Sequence, residues 1–464
     1  MNIRNLAGFA LGPIGTAAIS LMTVPITAWY FSAEDIGRIS MLQIGISFCL
    51  LLFSLGLDQA YVREYHDTEN KAGLFKATIL PGFSLLLIVL LSLFLWPEEL
   101  SSLLFKISNS EYSALAGLCF ITAFLGRFLS LILRMQERGL AFSISQLLPK
   151  IGFLIVLGFY VLQQSQLGLG QLLIAHAIAQ VSVCIVFAWN TRNEWYKRTT
   201  AITTSHRIAL FRFGMPLVFS GCAFWGMTSM DKIFLRHYSS YEELGLYSIA
   251  TSFAGVAIVL QNIFSTIWAP TAYKWHSEGV DPRSFQKMID HVLAAVVALF
   301  ALAGLLSWVI TYILPVQYHN AQYILLACLV YPLLYSLGET TGIGLGIARK
   351  SRHTLLATVV ALCVNVVCNF WLVPLYGAAG AASATALSFL ALFIFRTEFG
   401  NRYWVPFSRT KIYLYIFTCT ILSINQTLLG CEKLDFLFHS TWATILIYIG
   451  FSYIKNSHIN RKIN

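Results

Sequence analysis

Apolar residues run along this chain in blocks of about twenty, separated by short polar connectors. A membrane-spanning helix needs about 20 mostly apolar residues. The blocks predict fourteen such helices, at 8–30, 37–57, 77–96, 112–134, 145–163, 168–190, 209–235, 244–269, 290–314, 321–346, 354–373, 378–396, 411–430 and 436–454. Several carry a proline (Pro13, Pro25, Pro81, Pro216, Pro332, with Pro270 at a span end), which neighbouring helices accommodate by satisfying the freed carbonyls. No connector exceeds about 20 residues, well below the 50 or more of an independent domain. The fold class predicted is all-α: a polytopic membrane protein whose function sits within the membrane or at its two surfaces.

Composition sharpens this. Of 464 residues, 57% are hydrophobic and 11% charged, against about 25% charged in a soluble domain. A soluble enzyme, a disordered chain and a nucleic-acid binder are excluded. The net charge is +10, from 31 Lys+Arg and 21 Asp+Glu. With the N-terminus inside, twenty-five basic residues fall on the inner connectors and five outside (Arg38, Lys106, Lys232, Arg236, Lys433), while Arg127 is left mid-span. Acidic residues divide evenly, so the basic residues alone orient the chain, with both termini cytoplasmic. Only Arg4 precedes the first apolar run and no small-residue cleavage pattern follows, so Gly8–Tyr30 reads as a retained span. The nine cysteines are scattered without a CxxC, which supports neither a metal site nor a disulfide framework.

The two halves share local patterns at a nearly fixed offset. Glu34-Asp35-Ile36-Gly37 opens span 2 and Glu242-Glu243-Leu244-Gly245 opens span 8, 208 residues on. Phe53-Ser54 matches Phe264-Ser265 at offset 211, and Gly168 and Gly377 are 209 apart. A unit of six spans is even, so the two copies share one orientation: two parallel six-helix lobes plus two C-terminal helices, with the substrate path between lobes. The domains expected are 1–207, 208–408 and 409–464.

The run Asn365-x3-Asn369-x4-Pro374-x2-Gly377-x2-Gly380-Ala381-Ala382-x2-Thr385 resembles the span 11–12 signature of polysaccharide flippases, the oligosaccharidyl-lipid branch of the superfamily that also holds multidrug and toxin extruders. Gly56-Leu57-Asp58-Gln59-Ala60 and Met230-Asp231-Lys232 before Gly245-x-Tyr247-Ser248 add to the likeness. The resemblance implies a multi-pass protein of the bacterial inner membrane that exports an undecaprenyl-pyrophosphate-linked sugar, typically an O-antigen repeat unit, to the periplasmic leaflet by alternating access. It implies no cofactor. It allows coupling to protons or another cation, and partnership with a polysaccharide polymerase and a chain-length regulator. A multidrug antiporter of the same superfamily is the alternative, although Gly8–Tyr30 lacks the embedded acid on which that branch often relies. A membrane-embedded polymerase or acyltransferase is the other, and the large periplasmic loop usual in polymerases is missing.

Candidate chemistry lies in the few embedded polar residues. Arg127 sits roughly 12 Å of helix from the cytoplasmic end, too deep to snorkel, and needs a wet cavity or a counter-charge. Arg134 and Arg138 follow on the same helical stripe, as a basic ladder for a pyrophosphate or as ordinary anchors. Glu339 lies at Arg127's position plus 212, and would pair with it across the cavity, take a proton, or fix packing as a structural ion pair. Asp58 and Arg63 end span 2, with Lys274 as Arg63's counterpart in the second lobe. They flank a cytoplasmic entrance or anchor the surface, and Lys150 reaches the inner mouth or anchors likewise. Asp231, Lys232 and Arg236 read as an outer gate or as local ion pairs, and His176 as a proton relay or a histidine bonded to another helix. Asn262, Asn365 and Asn369 are expected to hydrogen-bond between helices, and Trp29, Trp96 and Trp371 to form an interfacial belt. His276-x4-Asp281 is a weak acyltransferase-like match. No GxSxG, HExxH or P-loop pattern occurs, so no catalytic residue is assigned, and transport would draw on an ion gradient or substrate flux.

Overall fold

A computed structural model describes residues 3–163, 167–196 and 202–448. Lys197, Arg198, Lys455, Arg461 and Lys462, counted above as inner basic residues, and the end of span 14 lie outside the described residues. Among the described residues there are helices and no strand. In order they are α1 (Ile3–Tyr30), α2 (Ala33–Phe53), α3 (Leu57–Glu64), α4 (Lys71–Leu93), α5 (Glu99–Phe105), α6 (Ser110–Met135), α7 (Gly139–Leu162) and α8 (Leu169–Trp195). Then come α9 (Thr204–Tyr238), α10 (Tyr241–Ser277), α11 (Pro282–Leu306), α12 (Val309–Ile313), α13 (Ala321–Thr341), α14 (Ile343–Ile347), α15 (Ser351–Tyr403), α16 (Thr410–Leu429) and α17, at 435–448.

Eleven of these are long and apolar enough to cross a membrane, and Ile14–Tyr30 of α1 adds a shorter apolar stretch. The 53-residue α15 is two helices end to end, broken at Gly377 (φ +50, ψ −126). Counting α15 as two, these give thirteen of the fourteen expected helices; of the last, 436–454, the described part is α17, and the protein is an all-α polytopic membrane protein. Where the helices differ from the apolar blocks, local chemistry explains it. Span 9 starts early because Asp281 caps α11 by accepting from the Arg283 amide (2.8 Å), with Pro282 at the first turn. Span 10 breaks at Gly342 into α13 and α14.

The chain divides into two compact units, 1–225 and 226–464, the division falling within α9. In the first unit α6 is the most buried of the long apolar spans, and α13 is its counterpart in the second. The turns that follow repeat in detail. Glu137 (φ +54) and Arg349 (φ +55) are both left-handed. The Arg138 amide donates to Leu133 O (3.1 Å), and the Lys350 amide to Leu345 O (2.9 Å). Each is the six-to-one bond of a helix C-cap, 212 residues apart. In the second unit, α16 and α17 are tied in by Trp442. It stacks on Phe300, donates to Gln426 Oε1 (2.7 Å) and lies against Gly304, where a Cβ would meet the indole.

Candidate functional site

The first unit builds its site on a broken helix. After Phe53 the backbone turns through Leu55 (φ +53) and Gly56 (φ +68) and restarts as α3. Glycine is required at 56: a Cβ would lie 2.2 Å from Gly214 O of α9. The break aims Asp58, two residues on, at α6. There Arg127 Nη2 donates to Asp58 Oδ2 at 2.9 Å, and Gln59 Nε2 donates to the same oxygen at 3.0 Å. Asp58 is buried, whereas the Arg127 side chain is 43% exposed. That exposure faces two cavities. One, of about 300 Å³, is lined by Ser54, Gly56, Asp58 and Gln59. The other, of about 280 Å³, is lined by Thr122, Ser130, Arg134, Ser145, Gln146 and Gln180. Arg127 and Leu50 line both. Hydroxyls and amides around two cations, Arg127 and Arg134, suit a ligand rich in hydroxyls that carries an anionic group.

The second unit holds a buried acid. Asp231 on α9 is 1% exposed and accepts from the Tyr247 hydroxyl of α10 and from Thr385 Oγ1 of α15 (3.2 Å). Its Oδ1 is buried without a partner. Around it, Asn365 Nδ2 reaches Ser388 Oγ (3.4 Å) and Asn369 Nδ2 donates to Asn365 Oδ1 (3.0 Å), leaving Asn369 Oδ1 buried and unpartnered. The kink at Gly377 makes this possible: Glu243 Oε2 accepts from the Ala378 amide (2.7 Å) and caps the restarted helix that carries Thr385 and Ser388. Asp231 thus sits in an oxygen-lined interior with acceptors to spare. Lys232 lies within electrostatic range of Asp231 and Cys328.

Glu339 on α13 accepts from the Ser265 hydroxyl of α10, and Gln261 Nε2 donates to that same serine (2.8 Å). Arg396 acts on the carboxylate at longer range and lies over the Tyr335 ring, 5.3 Å from its centroid. Arg127 and Glu339 each therefore have their contact within their own unit.

The other expected residues scatter. Arg134 lines the second cavity of the first unit, and Arg138 donates to Asn190 O (3.4 Å). Arg63 stacks over Phe213 (4.5 Å) and pairs with Glu64 (3.5 Å), while Lys274 pairs with Glu278 (3.7 Å), both on exposed side chains. Arg236 Nε donates to Tyr241 Oη (3.2 Å). His176 packs its ring on Phe153 of α7 (4.4 Å between centroids), with half-buried Lys150 within electrostatic range, so a ring contact stands where an inter-helix hydrogen bond was expected. Asn262 is exposed, unlike buried Asn365 and Asn369. Trp29, Trp96 and Trp371 are exposed as a belt requires. His276-x4-Asp281 is no dyad: Asp281 is the cap of α11, and His276 lies edge-on to Trp404. Sequence reading missed Ser265, Tyr247 as an Asp231 partner, and Glu243 as a cap. The repeat offset already matched Ser54 to Ser265, which was the available signal for the first.

Residues 3–276 match the family model described as polysaccharide biosynthesis protein. A probable low-salt glycan biosynthesis flippase, Agl15, of Haloferax volcanii is 24% identical over 255 residues. That match covers 52% of this chain and 53% of the relative, so it spans about half the length of the curated relative. Among solved structures, the lipid II flippase MurJ in an inward closed conformation superposes with a TM-score of 0.71 at 15% identity, over 98% of this chain and 99% of that one. A multidrug resistance MATE family transporter in an inward-facing conformation gives 0.57 at 14% identity, over 83% and 93%. These two likenesses concern the fold. The family match covers more than half of the chain, which belongs to the polysaccharide biosynthesis protein family.

Proposed function

We propose that this protein is a flippase for a lipid-linked oligosaccharide, moving an undecaprenyl-pyrophosphate-linked unit such as an O-antigen repeat from the cytoplasmic to the periplasmic leaflet of the bacterial inner membrane. The observation that carries the reading is Arg127: a mid-span arginine, its side chain 43% exposed, lining two cavities whose walls set hydroxyls, amides, Asp58 and Arg134 among apolar side chains. A charge at that depth is costly unless it serves a path. The named relatives, a glycan biosynthesis flippase and a lipid II flippase, support the same class. The excess of basic residues on one set of connectors supports cytoplasmic termini. The polar head-group would cross in steps of alternating access while the polyprenyl tail stays in lipid.

Arg134 would extend the attraction of Arg127 toward the cytoplasm, with Arg63, Lys274 and Lys150 adding positive potential at the entrance. Asp231, with one carboxylate oxygen unpartnered, two hydroxyls on the other and Lys232 within electrostatic range, is the group we assign to coupling by a proton or another cation, with Glu339 as the second candidate. The test is deletion in a host that makes a surface polymer, followed by assay of the lipid-linked unit on each leaflet. Accumulation on the cytoplasmic face supports the reading, and unchanged distribution with full surface polymer overturns it. A multidrug antiporter is the second reading, favoured by the shared fold of the MATE transporter. It predicts instead that deletion sensitises cells to cationic drugs and leaves the polymer intact.

A further inference from the structure

Asp58 and Arg127 are unequal partners. Asp58 is 7% exposed, on a short side chain at the start of α3, and that start is fixed by the Gly56 turn pressed against Gly214. Arg127 is long, its side chain is 43% exposed, it gives the carboxylate Nη2, and it lines both cavities. The anion is fixed and the cation is free to turn. An arginine presents five N–H donors in a planar fork that matches a phosphate as well as a carboxylate. A phosphate arriving in either cavity therefore meets a guanidinium already engaged by a carboxylate of the protein itself.

Resting on the flippase reading above, we infer that Asp58 is a built-in competitor of the substrate's phosphate for Arg127: it holds the guanidinium when the carrier is empty, yields it on loading and takes it back on release. Two consequences follow from charge. With no substrate bound, Arg127 is never left as an uncompensated charge at mid-membrane, which would penalise the return of the empty carrier. With substrate bound, the fixed negative charge of Asp58 lies close to the phosphate and repels it, so affinity is held down and release is fast. Affinity beyond what loading needs only slows turnover. Gln59, which donates to the same Asp58 oxygen, keeps the carboxylate turned toward Arg127 and is a positioning residue in this scheme.

The experiment uses the full chain, purified into lipid nanodiscs, with inorganic pyrophosphate as the probe and calorimetry as the readout. Asp58→Asn keeps the shape and removes the charge. It is expected to bind pyrophosphate roughly tenfold more tightly, a gain of about 1.4 kcal/mol, while Arg127→Gln loses binding. Export of lipid-linked units by Asp58→Asn is expected to fall several-fold in the same cells, because release is slowed. Asp58→Ser is the second variant, should the amide fold poorly, and carries the same expectation. Binding that needs Arg127 but is unchanged or weakened in both Asp58 variants would overturn the competitor role and leave the flippase reading standing. Binding in neither wild type nor variants, or binding indifferent to Arg127→Gln, would overturn both.

Discussion

The Ser265 hydroxyl donates to the Glu339 carboxylate, and these residues stand 211 and 212 positions after Ser54 and Arg127. Ser54 and Arg127 line one cavity of the first unit. The same two repeat positions are thus brought together in both units, on the most buried apolar span of each and the helix packed beside it. The charge is inverted: a cation in the first unit, an acid in the second. One scaffold, used twice, offers an anion-binding group in one copy and a protonatable group in the other.

This pairing fixes what a double-mutant cycle should report. Arg127 and Asp58 share a 2.9 Å bond, whereas Arg127 and Glu339 have separate partners. Thermal stability in detergent should show coupling between Arg127→Ala and Asp58→Ala of about 1 kcal/mol, the pair being discounted from a fully buried one because Arg127 is well exposed. Arg127→Ala with Glu339→Gln should be additive within about 0.5 kcal/mol. Strong coupling in the second cycle would instead support the direct Arg127–Glu339 pair that their repeat positions suggest.

Glycine positions give a second prediction. Gly56 is left-handed with backbone 2.2 Å from where a Cβ would stand. Gly56→Ala costs about 1–2 kcal/mol for the backbone alone, and α9 must also give way. A lowered melting temperature and loss of export are expected, while Gly255→Ala, at a site with nothing within 4 Å, serves as the neutral control. Equal melting of the two variants would show that the α2–α3 break is not a fixed element.

The spans were legible because hydrocarbon thickness sets helix length, and the blocks found the described helices with ends shifted by caps and breaks. Arg127 was legible because an embedded charge stands out against an apolar run. Its partner was not, since Asp58 reaches it only through the left-handed turn at Leu55 and Gly56, and sequence spacing says nothing of where a broken helix points. Asp231 was visible as a charge near a span end. Its environment depends on Gly377 and the Glu243 cap, which bring Thr385 back beside α9. His176 misled because an apolar run gives no sign of whether a ring will find a donor or another ring, here Phe153.

Topology is a direct check on orientation. Reporter fusions after Arg283 should score cytoplasmic, and after Glu99 and Lys433 periplasmic, because the basic residues concentrate on the connectors that include Arg283. A periplasmic signal at Arg283 would reverse the direction of export argued above.

The acid of the second unit supports the last prediction. Asp231 is buried, its Oδ2 is taken by Tyr247 and Thr385, its Oδ1 is buried without a hydrogen-bond partner, and Lys232 lies within electrostatic range. A buried acceptor costs about 1–3 kcal/mol when left unpaired, so this oxygen gains from a proton or a cation. Asp231→Asn keeps the shape, leaves an oxygen to accept from Tyr247 and Thr385, and locks the site in its neutral form. The variant should still fold, at a cost in stability from the counter-charge Lys232 loses, yet lose the dependence of export on an imposed ion gradient. Asp231→Ala, by contrast, strands the Tyr247 and Thr385 hydroxyls and should melt lower. The measurement is export in vesicles with proton and sodium gradients imposed separately, alongside melting curves. If Asp231→Asn keeps full gradient dependence, coupling lies elsewhere, and Glu339→Gln in the same vesicles would then be the variant expected to lose it.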